Sequence, residues 1–213
     1  MITVYAYVLD TMADWELGFA ASELNSGRFF KKDAQAVSFK TVGTTREPIK
    51  TMGGLTIIPD LFIEEIVDIG GLNAGDAAVL LLPGANSWNE PKHAAILEIA
   101  RKFLQHGAIV CAICGATAAL ANAGLLNDRR HTSNGPGFLE MAAPGYAGQR
   151  FYVDEPAVTD GNLVTAGATG ALPWARHIIE LLDVFRADTL EEWHEYFSTG
   201  EAKHFFALMQ TLQ

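Results

Sequence analysis

Cys114 is the residue of this sequence at which a nucleophile and a backbone able to support one coincide. The apolar run Gly107-Ala108-Ile109-Val110-Cys111-Ala112-Ile113 has the length and composition of a central parallel strand. Gly115-Ala116-Thr117-Ala118-Ala119-Leu120 follows at once as a small-residue helix. A side chain on so sharp a strand-to-helix turn is held in a strained backbone region with its reactive atom above the sheet, and the N–H groups that open the helix face any anion formed there. The same helix terminus favours a thiolate, so the position predicts a lowered thiol pKa. Cys111 lies three residues earlier, inside the strand, and reads as a small core hydrophobe. The C-x-x-C spacing does not read as a redox pair, because thioredoxin-type motifs open a helix and this one starts in a strand.

Two other segments carry groups that chemistry at Cys114 needs. In Asp14-Trp15-Glu16-Leu17, after the first predicted strand, either Asp14 or Glu16 is a candidate carboxyl partner for the thiol. The competing reading makes Asp14 a helix N-cap and Glu16 a partner of the helix dipole. Leu80-Leu81-Leu82-Pro83-Gly84-Ala85 is a buried strand running into a loop, where Gly84 suits a tight turn and Trp88 either walls a pocket or packs. The six histidines, at 93, 106, 131, 177, 194 and 204, include no close pair at ligand spacing, so no metal is expected. Neither a Walker loop nor a dinucleotide fingerprint occurs, and no cofactor is expected.

The elements that must hold these residues alternate. Ile2 to Leu9 reads as a strand, Asp14 to Gly27 as a helix closed by glycine, and Ala36 to Val42 as a strand. A short extended piece is expected at Leu55 to Ile58, a strand over Ala77 to Leu82, and a helix over Pro91 to His106. After the elbow, Arg150 to Thr159 and Leu163 to Ala166 flank a hairpin turn at Asp160-Gly161, and a helix covers Ala171 to Leu182. Such alternation predicts a parallel sheet between two layers of helices. From Thr189 on, Thr189-Leu190-Glu191-Glu192 reads as a capping arrangement, and Trp193, Tyr196, Phe197, Phe205, Phe206, Leu208, Met209 and Leu212 load two short helices with apolar bulk. The organisation expected is one domain over 1–185 and a helical extension over 186–213, packed on that domain or on a dimer partner.

A chain of 213 residues with 49% hydrophobic composition supports one substantial core. With 15 basic against 25 acidic residues, the formal charge of −10 disfavours nucleic acid and anionic membrane surfaces as partners. No apolar run approaches membrane-spanning length, the first residues already read as a strand, and the cysteines fit a reduced compartment, so a cytoplasmic protein is expected.

Leu80-Leu81-Leu82-Pro83-Gly84-Ala85, Ala112-Ile113-Cys114-Gly115-Ala116, and Ala123-Gly124-Leu125-Leu126 with Arg129-Arg130-His131-Thr132-Ser133-Asn134 together resemble the PfpI-like group. That group holds intracellular proteases and the parkinsonism-associated deglycase, within the class I glutamine amidotransferase-like superfamily. The resemblance runs from Ile2 to about Leu182. It implies a flavodoxin-like three-layer sandwich with a mainly parallel sheet, an elbow cysteine and a homodimer. It also implies an oxyanion site from the backbone of Ala85, next to Gly84, and of Gly115. Family members place a glutamate after the first strand; matching Asp14-Trp15-Glu16-Leu17 to the family pattern puts that position on Ala13, so a carboxyl role for Asp14 or Glu16 needs a shifted loop. The family's histidines fall on Gly115 and Asn134, and no late His-x-Glu of a glutaminase is present. The function expected is therefore that of a hydrolase or hydratase acting through Cys114 on a small carbonyl or isonitrile, in a pocket bounded by Asp14 to Glu16, Gly84 to Trp88, Cys114 to Gly115 and Asn134. The alternative is a non-enzymatic sensor that works by reversible oxidation of Cys114. A peptidase or glutaminase ranks below both.

Overall fold

The computed structural model describes residues 1–66 and 75–212. Three apolar runs become the middle of a seven-stranded sheet because only a position buried on both faces suits them. They are β1 (Ile2–Tyr7), β6 (Ala77–Leu82) and β7 (Ile109–Ile113). The remaining strands are β2 (Val37–Gly43), β5 (Leu61–Phe62), β8 (Ala157–Asp160) and β9 (Leu163–Ala166), in the order β5-β2-β1-β6-β7-β9-β8. All neighbours are parallel except β8 and β9, which form the expected hairpin with Gly161 and Asn162 at its turn. Of the segment expected to be extended from Arg150, the strand keeps only its last part, because residues 149–151 form a single 3-10 turn.

The strand order reverses at β1, whose sequence neighbour β2 lies on one side and β6 on the other. Such a switch point opens a crevice at the strands' carboxyl ends, where α/β sheets place their ligands. Three chain segments leave the sheet there: the loop after β1, the Pro83-Gly84 exit of β6 and the elbow after β7.

Helices α1 (Gly18–Ser26), α2 (Ala94–Gln105), α3 (Gly115–Asn122), α4 (Phe138–Ala142) and α5 (Ala171–Leu181) flank the sheet, giving the α/β flavodoxin-like fold. α1 packs on α5, while α2 and α3 cover β6 and β7. α1 corrects the sequence expectation. It begins at Gly18 rather than Asp14 and has no side-chain cap, so neither Asp14 nor Glu16 serves the helix terminus. The preceding residues make a tight turn instead, closed by the Glu16 N–H on the Ala13 carbonyl at 3.3 Å.

A second, two-stranded sheet straps that loop. β3 (Ile49–Lys50), which the sequence did not signal, pairs with β4 (Thr56–Ile57). The Thr11 N–H donates to the Lys50 carbonyl at 2.7 Å and the Met52 N–H to the Met12 carbonyl at 2.9 Å.

The tail forms α6 (Ala187–Thr199) and α7 (Ala202–Thr211). Thr189 does not cap α6, which starts two residues earlier after Arg186; its buried hydroxyl donates to the Thr211 hydroxyl at 2.9 Å and ties the two helices together. Trp193 is wholly buried against Phe19 and Phe185 of its own chain, and its indole N–H donates to Glu23 Oε1 at 3.0 Å. Glu23, itself buried, pairs with Arg28. Phe205 and Phe206 stay exposed.

Candidate active site

Cys114 has φ 57° and ψ −123°, a left-sided conformation that costs a non-glycine residue on the order of 1–3 kcal/mol. Surrounding bonds enforce it. Its N–H donates to the Ala166 carbonyl of β9 at 3.0 Å, and its carbonyl accepts both the Thr117 N–H at 3.0 Å and the Thr117 hydroxyl at 2.5 Å. Thr117 is held in turn by the Ser133 hydroxyl at 2.5 Å. The elbow therefore stands half-buried at the top of β7, while Cys111 is wholly buried inside the strand.

Of the two candidate carboxyls, the fold brings Glu16 beside Cys114 and sends Asp14 away. The turn at 13–16 aims Glu16 inward, where it is fully buried. Its Oε2 accepts the Gly84 N–H at 2.5 Å, and its Oε1 is buried without a hydrogen-bond partner. Burial pushes its pKa up to about 7, against the Gly84 N–H and the Cys114 thiol, which pull it down. Asp14 turns away from the site: it accepts the Gly53 N–H at 2.6 Å, and the Thr51 hydroxyl with that N–H holds its carboxyl below the usual range.

Gly84 is required for close approach, not for a turn. A Cβ there would lie 2.7 Å from Cys114 Cβ, 3.0 Å from Cys114 Sγ and 2.9 Å from Glu16 Oε2, so thiol and carboxyl converge on the space that the glycine leaves. Ala85 is extended at φ −156°, which any residue adopts, so alanine there carries no backbone penalty. It lies opposite Met12 in an antiparallel bridge whose neighbours supply the bonds, with the Ala13 N–H on the Gly84 carbonyl at 2.9 Å. Its own N–H thus turns away from Met12. The Ala85 carbonyl oxygen and N lie 3.2 and 3.5 Å from the point a Gly115 Cβ would occupy, so the two residues expected to supply oxyanion donors are neighbours in space.

Asn134 also reaches the thiol. Its amide Nδ2 donates to Cys114 Sγ at 3.4 Å, while its Oδ1 accepts the Ala168 N–H at 2.8 Å. The Gly167–Gly170 loop that supplies Ala168 was missed as a site element. Its signal was present: a small-residue stretch at the carboxyl edge of the last parallel strand. Gly167 is needed there, since a Cβ would fall 2.6 Å from the Ser133 carbonyl oxygen. Beyond Asn134 opens a cavity of about 290 Å³ that reaches Glu155 and Thr169.

The lowering of the thiol pKa expected from the helix terminus is opposed by burial. Burial pushes Cys114 up and the Glu16 charge adds to this, while the Asn134 amide and Gly115 N–H pull it down. Trp88 is buried beside Gly115 and packs on Tyr7 and His93. His131 is also buried, with its Nδ1 at 2.6 Å from the Arg129 carbonyl and its Nε2 at 2.7 Å from the Tyr146 hydroxyl, which leaves it no nitrogen for Cys114. Among the described residues no group of three or more His, Cys, Asp or Glu is placed to hold a metal ion, and no helix is long and apolar enough to cross a membrane.

An elbow cysteine with a buried glutamate and a glycine-lined strand exit agrees with what comparison finds, since residues 2–181 match the DJ-1/PfpI family. The chain belongs to that family. It is 44% identical over 209 residues to the uncharacterized protease YoaZ of Bacillus subtilis, covering 98% of this chain and 97% of that one. It is 30% identical over 131 residues to the deglycase PfpI of Pyrococcus furiosus, covering 61% of this chain and 73% of that one. The crystal structure of a ThiJ/PfpI family protein from Bacillus anthracis superposes with a TM-score of 0.92 at 44% identity, over 99% of this chain and 97% of that one. The match to YoaZ takes in the tail, which lies beyond the family's own span.

Proposed function

We propose that this DJ-1/PfpI family member uses Cys114 as a nucleophile toward a small electrophile, a carbonyl compound or an isonitrile, as a hydrolase or hydratase. The observation that carries the reading is the convergence of the Cys114 thiol and the Glu16 carboxyl on the space above Gly84. The two groups exchange one proton and titrate as a pair. When the proton sits on Glu16, the sulfur is an anion held by the Asn134 amide and the Gly115 N–H. Attack on an aldehyde carbon forms the C–S bond while the carbonyl π pair moves to oxygen, where the Ala85 and Gly115 N–H groups receive it. The Glu16 proton then quenches the alkoxide and gives a hemithioacetal. The names of the relatives, protease and deglycase, support a hydrolytic or carbonyl chemistry in general terms.

Peptide cleavage needs a proton delivered to an amine leaving group, and the family's histidine positions hold Gly115 and Asn134. Casein and peptides are therefore expected to turn over at background level. Methylglyoxal, aryl isonitriles, glutamine and peptides, each assayed with the wild type and with Cys114→Ser, test the reading. Small-electrophile turnover lost in Cys114→Ser supports it; robust proteolysis lost in both Cys114→Ser and His131→Gln overturns it.

Sensing by reversible oxidation of Cys114 is the second reading, favoured by a half-buried thiol with amide donors ready to hold an oxidised sulfur. Peroxide treatment followed by mass mapping, with no turnover of any electrophile, would favour it. A homodimer is part of the proposal, and light scattering at micromolar concentration tests it.

A further inference from the structure

The peptide between Pro83 and Gly84 is gripped on both sides. In a trans peptide the C=O and N–H point in opposite directions, and no peptide bond in the described chain is cis. The Gly84 N–H meets Glu16 Oε2 at 2.5 Å, and on the other side the Pro83 carbonyl accepts the Trp88 indole N–H at 2.9 Å. Trp88 is 8% exposed, and its ring is fixed by Tyr7, with centroids 5.7 Å apart, and by His93 at 5.5 Å. Tyr7 and His93 are joined in turn by a 2.6 Å hydrogen bond between the hydroxyl and Nδ1. A glycine at 84 gives this peptide little steric resistance to rotation.

We propose that Trp88 is a positioning residue: its indole N–H locks the 83–84 peptide in the orientation that aims the Gly84 N–H at Glu16, and so sets the proton affinity of the carboxyl beside Cys114. Without the lock, the peptide turns and the carboxylate loses its backbone donor. Glu16 then holds its proton to higher pH. The titratable group that acts on Glu16 is Cys114; Asp14, in the same loop, is engaged with Thr51 and Gly53. The inference rests on the proposed partnership of Glu16 and Cys114.

The test replaces Trp88 with 3-benzothienylalanine, which keeps the ring's shape and removes the N–H, alongside Trp88→Phe. Two quantities are read in variants that melt within a few degrees of wild type: the pH midpoint of Cys114 alkylation and the amide proton resonance of Gly84. The expected result is a midpoint lowered by up to roughly one pH unit, because a Glu16 that keeps its proton no longer repels the thiolate, and a Gly84 resonance moved upfield, with no further midpoint change when Trp88→Phe is added to Glu16→Gln. An unchanged resonance in the benzothienyl variant overturns the lock, and a resonance that moves with a fixed midpoint overturns its control of Glu16. If Glu16→Gln alone leaves the alkylation profile unaltered, the Glu16–Cys114 partnership fails, while the Gly84 resonance still reports on the lock by itself.

Discussion

Gly84 and Cys114 face each other across β6 and β7 with no room for a side chain between them: a Cβ on Gly84 would fall 2.7 Å from the Cys114 Cβ. The parallel register that pairs Leu82 with Ala112 brings the two together two residues further on. Neither position is free to move, since the Gly84 N–H is bonded to Glu16 and the Cys114 N–H to Ala166. Gly84→Ala is therefore expected to cost about 1–3 kcal/mol, as overpacking does, and to displace the thiol from Glu16. A thermal melt with Cys114 labelling checks both, and an alanine variant with wild-type melting and labelling would refute the close contact.

Glu16 makes stability depend on pH. Its folded pKa, about 7, lies above the ordinary value of 4.5, so the folded state holds the proton more tightly. Stability is then fully present below about pH 4.5 and declines as pH rises to about 7, by on the order of 3 kcal/mol at most. Glu16→Gln stays neutral, so its urea midpoint is expected to vary less across that window. Parallel denaturation series from pH 5 to 8 compare the two.

The two cysteines are expected to differ in reactivity. Cys114 is half-buried with donors around its sulfur, whereas Cys111 is closed inside β7 and burial pushes its thiol far up. Brief iodoacetamide treatment followed by mass mapping should modify Cys114 alone. Equal modification of both would contradict the elbow geometry.

Asn134 should raise the thiol's proton affinity when removed. Its amide is the largest influence that pulls the Cys114 pKa down. Asn134→Ala is expected to move the alkylation midpoint upward, and a midpoint that stays or falls would show that the 3.4 Å contact is not formed in solution.

The tail is expected to be part of the stability of its own chain. Trp193→Ala empties a fully buried ring site and leaves the buried Glu23 without its indole donor, a loss of roughly 3–5 kcal/mol. Chemical denaturation measures it; a loss below 1 kcal/mol would mean that α6 is only loosely docked.

The sequence by itself determined the central strands, the elbow at Cys114 and the family, because each is local. A run such as Ala77 to Leu82, apolar at every position, suits only a strand buried on both faces, and strand, cysteine and small-residue helix are contiguous in the chain. Tertiary structure decided the rest of the site. Asp14 and Glu16 are both carboxylic residues two apart in sequence, and only the 13–16 turn, strapped by an unforeseen pair of two-residue strands, sends Glu16 inward and Asp14 out to Gly53. Gly84 looked like a turn glycine because its neighbour in space, Cys114, is thirty residues away in sequence. The thiol's proton affinity divides the same way: a helix terminus is legible from contiguous residues, but the burial that pushes the thiol up is contributed by distant segments that meet only in the fold.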